Sequence, residues 1–218
     1  MPDVFFADQW TRAHAELGIP SDAKVLSDLL ALWGGDGRHY HSLAHLKYGL
    51  VALDRYGEGV GLVRLAWFFH DAIYVIGRGD NEQLSADWFT AYARRQNLKT
   101  ELVDRGERLI LMTKDHQGAV SDDPLWPIMN DVDLAVFATP PDVYEVYAAN
   151  VWREYEAIAT RQQFVLGRAA FMSAFKSRPV FQTEAMRNCE QAAHRNIDAE
   201  VARLMDEARQ AGWLPEGC

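Results

Sequence analysis

Three of the seven histidines in this 218-residue chain stand within "RHYHSLAHL", residues 38–46: His39, His41 and His45. A fourth, His70, is followed directly by Asp71 inside the apolar run "LVRLAWFFHDAIYVI". His116 closes "TKDH", and Asp131 and Asp133 stand in "NDVDLAVF". Imidazole nitrogens and carboxylate oxygens together make a ligand set for a borderline or hard divalent ion. Such an ion lowers the pKa of bound water toward neutrality and polarises an ester oxygen. An Asp in an apolar stretch is costly to bury unless it is paired or metal-bound, and Asp71 and Asp133 both sit in one.

Spacing narrows the set. His41 and His45 are four apart and share a face if the segment is helical. A zinc protease would need Glu directly after the first His, and Ser42 stands there instead. His39, two residues from His41, points elsewhere in a regular segment and has no derived role. Asp131 and Asp133 are also two apart and cannot both face one point on a helix. One is read as a ligand, the other as an outer or surface group. The residues alone leave open which member of each pair binds.

The elements that must position these groups read as helices nearly throughout. "DVFFADQWTRAHAELG" is amphipathic. "SDAKVLSDLLALWGG" opens on Ser21 as a cap and closes on paired glycines. A helix is expected from His41 to about Tyr56. "GLVRLAWFFHDAIY" is apolar almost all round and should be central. "NEQLSADWFTAYARRQN" and "TELVDRGERLILMTK" follow, the second started by Thr100. The loop "DHQGAVSDDP" leads to "LWPIMNDVDLAVFA". Then comes "TPPDVYEVYAANVWREYEAIATR", with Thr139 capping and Pro140 in the first turn. "QQFVLGRAAFMSAFKS" and the long "TEAMRNCEQAAHRNIDAEVARLMDEARQAG" complete the chain. No alternating Val/Ile run suggests a strand. The expectation is an all-α protein, roughly nine or ten helices in one orthogonal bundle.

Composition excludes several classes. Hydrophobic residues make up 49%, so the chain is globular rather than disordered. The formal net charge is −9 and the pI about 5.2, which disfavours general binding to nucleic acid or anionic membrane. Cys189 and Cys218 form no disulfide framework and no zinc spacing. The N-terminus "MPDVFFADQW" carries acid where a signal peptide needs base, so a cytoplasmic protein with reduced thiols is expected.

"RHYHSLAHL", "WFFHDAIY", "TKDH" and "NDVDL", in this order on an all-helical chain, resemble the HD-domain superfamily of metal-dependent phosphohydrolases. The chain is most similar to a bacterial group of predicted metal-dependent HD phosphohydrolases. That group also carries an Asp-Asn-Glu-x-x-Ser-Ala stretch, here "DNEQLSADW" at 80–88. "WREYEAI", "KSRPVFQTE" and "AAHRNIDAE" look like its C-terminal helices, so the resemblance covers most of the chain.

The resemblance implies a single HD-type domain over 1–218. Its metal-site core spans about 38–138, and a helical C-terminal extension about 139–212. It implies His70 and Asp71 as ligands. The generic HD pattern favours His41 as the first ligand. Related cyclic-nucleotide phosphodiesterases resemble "YHSLAHL" and imply His45 as ligand with His41 protonating the leaving oxygen, which is the assignment taken. Asp133, followed by apolar residues, is the last ligand, with Asp131 as alternate. His116 would complete a second metal site or contact phosphate. Dinuclear relatives bring two histidines to that stretch, and this chain has one. Glu82 is the further carboxylate expected at the centre, as general base.

A divalent ion (Mn, Mg, Fe, Co, Ni or Zn) is thus the expected cofactor, and a nucleotide or small phosphorylated metabolite the expected partner. Arg38, Lys114 and Arg153 are the cations expected to contact its phosphate. The alternatives are a di-iron HD-type oxygenase and a non-catalytic nucleotide-binding module.

Overall fold

In a computed structural model describing residues 3–116 and 123–214, ten α-helices and no strand occur among the described residues. The all-α expectation holds. Most of the "DHQGAVSDDP" loop, and Cys218, lie outside the described residues. No helix among the described residues is long and apolar enough to cross a membrane.

The chain divides into two compact units, Met1–Asp133 and Leu134–Cys218. The first holds α1 (Val4–Leu17), α2 (Ala23–Trp33), α3 (Leu43–Leu53), α4 (Gly61–Phe69), α5 (Asn81–Arg95), α6 (Thr100–Leu111) and α7 (Trp126–Asp133). Every residue of α4 is buried, and it packs on α1, α3, α5, α6 and α7. This central place follows from an apolar surface all round. Its one charged residue, Arg64, is buried with Gln9 Oε1 as acceptor and Asp54 Oδ1 at 3.3 Å. Gly49 on α3 lets α4 approach closely, and the indole of Trp67 occupies the space a Cβ would take. Trp67 Nε1 donates to the Leu46 carbonyl at 2.9 Å.

The second unit holds α8 (Pro141–Tyr155), α9 (Arg161–Ser173) and α10 (Glu190–Gln210). Its interior contains a charged network. Arg168 on α9 donates to both oxygens of Glu200 on α10, at 3.0 and 3.2 Å. Tyr144 of α8 donates to Glu200 Oε2 at 2.5 Å, and Arg168 donates to the Tyr147 hydroxyl at 2.8 Å. One salt bridge with two phenols therefore ties all three helices. Asn196 secures the segment before α8 by donating to the carbonyls of Phe137 and Thr139, at 2.9 and 2.8 Å.

Several helix ends differ from the sequence expectation. Asp22, not Ser21, caps α2; its carboxylate accepts from Lys24 N and Val25 N. A carboxylate is the better acceptor for the positive end of a helix. Thr139 does not cap α8. Pro140 is the N-cap and Pro141 the first helical residue, while the Thr139 hydroxyl donates back to Val136 O at 2.7 Å. Pro141 suits that place because its missing N–H is one the first turn leaves unpaired anyway. "LWPIMNDVDLAVFA" is not one helix. The α-helix ends at Asp133 and a 3-10 segment, Leu134–Ala138, follows. The last helix likewise starts at Glu190, after a 3-10 segment Glu184–Cys189.

Candidate metal centre

The ends of α3, α4 and α7 bring the candidate ligands together. α3 starts at Leu43 after an extended Ser42, so His41 lies outside the helix. The expected shared helical face of His41 and His45 is thus not what brings them near. A tight turn centred on His41, with Ser42 N donating to Tyr40 O at 2.7 Å, precedes the helix, and the ring centroids of His41 and His45 lie 5.9 Å apart. His45 occupies the first turn of α3 and is buried.

α4 ends at Phe69, earlier than expected, with His70 as its C-cap. The cause is visible in its side chain. His70 Nδ1 lies 2.8 Å from the Trp67 carbonyl, which it satisfies in place of another helical turn. A carbonyl only accepts, so Nδ1 carries the hydrogen and Nε2 is left for a ligand when the ring is neutral. Trp67 stacks on the same ring at 3.9 Å and 20°. Trp33, held by Nε1 donation to Phe68 O at 2.9 Å, lies 5.4 Å from it.

His45, His70 and Asp133 offer ligand atoms that all lie within 4.8 Å of one another. The two Nε2 atoms are 3.4 Å apart, and Asp133 Oδ1 is 3.4 Å from His45 Nε2 and 4.0 Å from His70 Nε2. Metal–ligand bonds of about 2.1 Å place neighbouring donors roughly 3.0–3.4 Å apart; two of the three separations match, the His70–Asp133 one is longer, and the donor types suit a divalent ion. Asp71 Oδ2 adjoins at 3.0 Å from His70 Nε2 and 4.0 Å from His45 Nε2. Asp133 uses its second oxygen differently: Oδ2 is 3.5 Å from His116 Nε2. His116 holds that position with φ at 50°, a left-handed backbone that non-glycine residues rarely adopt. The remaining acidic candidate, Asp131, is fully buried, accepts from Asn130 Nδ2 at 3.2 Å and is not in the three-residue group.

The electrostatics follow from this packing. Burial lowers the His45 pKa, and its bond to Asp133 does not offset that. Burial works the same way on His70, but the charge and hydrogen bond of Asp71 outweigh it and the pKa is raised. Asp71 is held ionised, since the same contact with His70 overcomes the effect of burial. Asp133 is likewise lowered, through His45 and His116, against burial. Within the group both carboxylates are thus held toward the charged form, His45 toward the neutral imidazole and His70 toward the imidazolium.

An ion bound at His70 Nε2 would compete with a proton for that nitrogen. Metal addition will release protons below the raised His70 pKa, and affinity will fall as the pH drops through it. The linkage sign for the metal-free protein is opposite. The stability His70 contributes is full below its ordinary value of 6.5 and is lost as pH rises through the raised one. Calorimetric metal titration in buffers of different ionisation enthalpy, at pH near 6.5, measures the release. A buffer-independent heat would show that no proton leaves.

The other sequence candidates are more scattered. His41 stacks on Tyr74 at 4.2 Å, and Tyr40 packs against both His41 and His45. Glu82 sits in the first turn of α5, and its Oε2 is buried with no hydrogen-bond partner among the described residues. Lys114 is exposed and donates to Gly79 O. Arg153 belongs to α8 of the second unit, is exposed, and donates to Asn150 Oδ1 at 3.4 Å. Arg38 donates to the carbonyls of His41, Asp71 and Ala72. The supporting aromatic residues Trp33 and Trp67, and Gly49 beneath Trp67, were not legible as site residues. The one available signal was a glycine inside an otherwise sound helical pattern, which marks close approach.

No protein-family model, curated protein or solved structure matches this chain. What it can do must be read from the centre itself.

Proposed function

We propose that the chain is a metal-dependent phosphohydrolase of the HD type, acting on a phosphomonoester or phosphodiester of a nucleotide or small metabolite. One observation carries this reading: His45, His70 and Asp133 converge within 4.8 Å at a site built from three helix ends. The order of ligand types along the chain, and their likeness to HD motifs, supports it. So does the uncommon backbone at His116, since residues held in sparsely populated conformations cluster at functional sites.

His45, His70 and Asp133, with Asp71 beside them, would hold the ion. When bound, it supplies Lewis-acid activation of water and of a phosphoryl oxygen. The chain's own residues supply the proton steps. His41, at the edge of the centre, donates a proton to the leaving oxygen as the ester bond breaks. Glu82, whose buried Oε2 has no partner among the described residues, accepts the proton of the attacking water. His116 orients Asp133 and contacts the phosphoryl group.

The protein should be loaded separately with each of Mn, Mg, Fe, Co, Ni and Zn and assayed against phosphomonoesters, phosphodiesters and nucleotides. Phosphate or alcohol release with at least one ion is expected. His41→Ala should lower that rate roughly 10²–10⁴-fold while the ion stays bound. Bound metal without hydrolysis of any ester would overturn the reading. Nucleotide binding without turnover would favour the binding module. Two irons per chain with oxygen consumption would favour the oxygenase.

A further inference from the structure

We infer that Arg38 is a positioning residue of the metal centre, locking the segment before α3 to the turn after α4. This inference rests on the metal-binding reading above. Arg38 Nη1 donates to the carbonyls of His41 and Asp71, at 3.0 and 2.8 Å, and Nη2 donates to Ala72 O at 2.8 Å. Its guanidinium carbon lies 5.3 Å from the Trp33 ring and 5.4 Å from the Tyr74 ring. The fork therefore joins three stretches of chain that each carry part of the centre.

His41 O belongs to the segment that leads into His45. Asp71 O and Ala72 O belong to the turn that carries His70 and Asp71. Trp33 packs on the imidazoles of both His70 and His45. The carbonyls after a helix end are left without intrahelical donors and carry partial negative charge. A guanidinium satisfies both needs, and its planar fork spans adjacent carbonyls in fixed geometry. A lysine ammonium, a point charge on a flexible stem, does not.

Arg38 thereby fixes the distance between His45 Nε2 and His70 Nε2, 3.4 Å in this structure, without touching the ion. This differs from the phosphate contact expected of Arg38. Its guanidinium donates to backbone carbonyls. Supporting residues behind a metal's ligands usually govern its affinity by about 10–100-fold.

The test is Arg38→Lys in the full chain, titrated with Co²⁺. Three readings are taken: visible absorption, dissociation constant, and far-UV circular dichroism of the metal-free form. A 10- to 100-fold weaker Kd, with an altered Co²⁺ absorption envelope and an unchanged helical spectrum, is expected. Arg38→Ala should show the same loss, partly restored by millimolar guanidinium ion. A purely structural role would lower thermal stability while leaving the Co²⁺ envelope of the folded fraction unchanged, and that result would overturn the inference. Should Arg38→Lys not fold, Arg38→Met takes its place with the same readings, because it keeps part of the apolar stem beside Trp33 and Tyr74 while removing every donor. Parent-like Kd and envelope in a folded variant would also overturn it. Parent protein that binds no Co²⁺ would overturn the metal-binding reading and this inference together, whereas parent binding with unaffected variants defeats only this one.

Discussion

Gly49→Ala will destabilise the first unit by about 3 kcal/mol, the upper end for overpacking a core, and will weaken its hold on a divalent ion. A Cβ at position 49 would lie 2.1 Å from Trp67 Cζ2 and 2.2 Å from Cε2. The indole has no easy retreat. It is fully buried, its Nε1 is bonded to Leu46 O at 2.9 Å, and its face lies on His70 at 3.9 Å. Relief requires either α3 to move outward or Trp67 to tilt, and both displace an imidazole of the centre. Urea unfolding with a parallel Co²⁺ titration measures both effects.

Gly167→Ala on α9 is the control. No atom lies within 4 Å of the added Cβ, so replacing a helical glycine should stabilise by roughly 0.5–1 kcal/mol. A Gly49→Ala protein within about 0.5 kcal/mol of the parent, with unchanged ion affinity, would show that the close approach of α3 and α4 is not what holds Trp67 and His70.

Glu200→Gln will cost the second unit about 3–5 kcal/mol. Glu200 and Arg168 have side chains only 2% and 9% exposed, and Glu200 is the one carboxylate the Arg168 fork grips. The amide keeps the shape and its one oxygen can still accept from Tyr144, but its NH2 then faces Arg168 Nε, so the variant loses both the counter-charge and one acceptor. The guanidinium, largely buried beside the rings of Tyr147 and Phe171, would keep the Tyr147 hydroxyl as an acceptor but lose its counter-charge. Replacing both partners with apolar residues of similar volume, Arg168→Met with Glu200→Leu, should recover most of that loss. Breaking a buried pair is far more costly than never having it. Thermal and urea unfolding followed by circular dichroism decide the matter. A single variant that loses less than about 1 kcal/mol would mean that the pair is solvated and contributes as surface bridges do.

These two sites illustrate what sequence patterning conveys. α4 announced its central place because no face of it is polar enough for water. The converging His and Asp residues were legible as candidates because such groups inside apolar stretches conflict with simple burial. Helix ends were less legible, since they depend on side chains reaching back to the backbone. His70 closes α4 by bonding Trp67 O, and Asp22 rather than Ser21 takes the cap of α2. Arg38 was legible as a cation beside the histidines, but its bonds were not, since their acceptors, the carbonyls of Asp71 and Ala72, are distant in sequence and have no residue signature. No motif or spacing in the sequence marks Glu200 and Arg168, and only the packing of α8, α9 and α10 reveals them as a buried pair.

The central claim is that His45, His70 and Asp133 hold a divalent ion. It is tested most directly by titrating the metal-stripped chain with Co²⁺, following visible absorption and the quenching of tryptophan fluorescence from Trp33 and Trp67. About one ion per chain should bind, with d–d bands of a mixed nitrogen and oxygen site. His70→Ala and Asp133→Ala should each abolish that signal, while His39→Ala, at an exposed position outside the ligand group, should retain it. A parent chain without Co²⁺ bands, or His70→Ala and Asp133→Ala proteins that titrate like the parent, would contradict it.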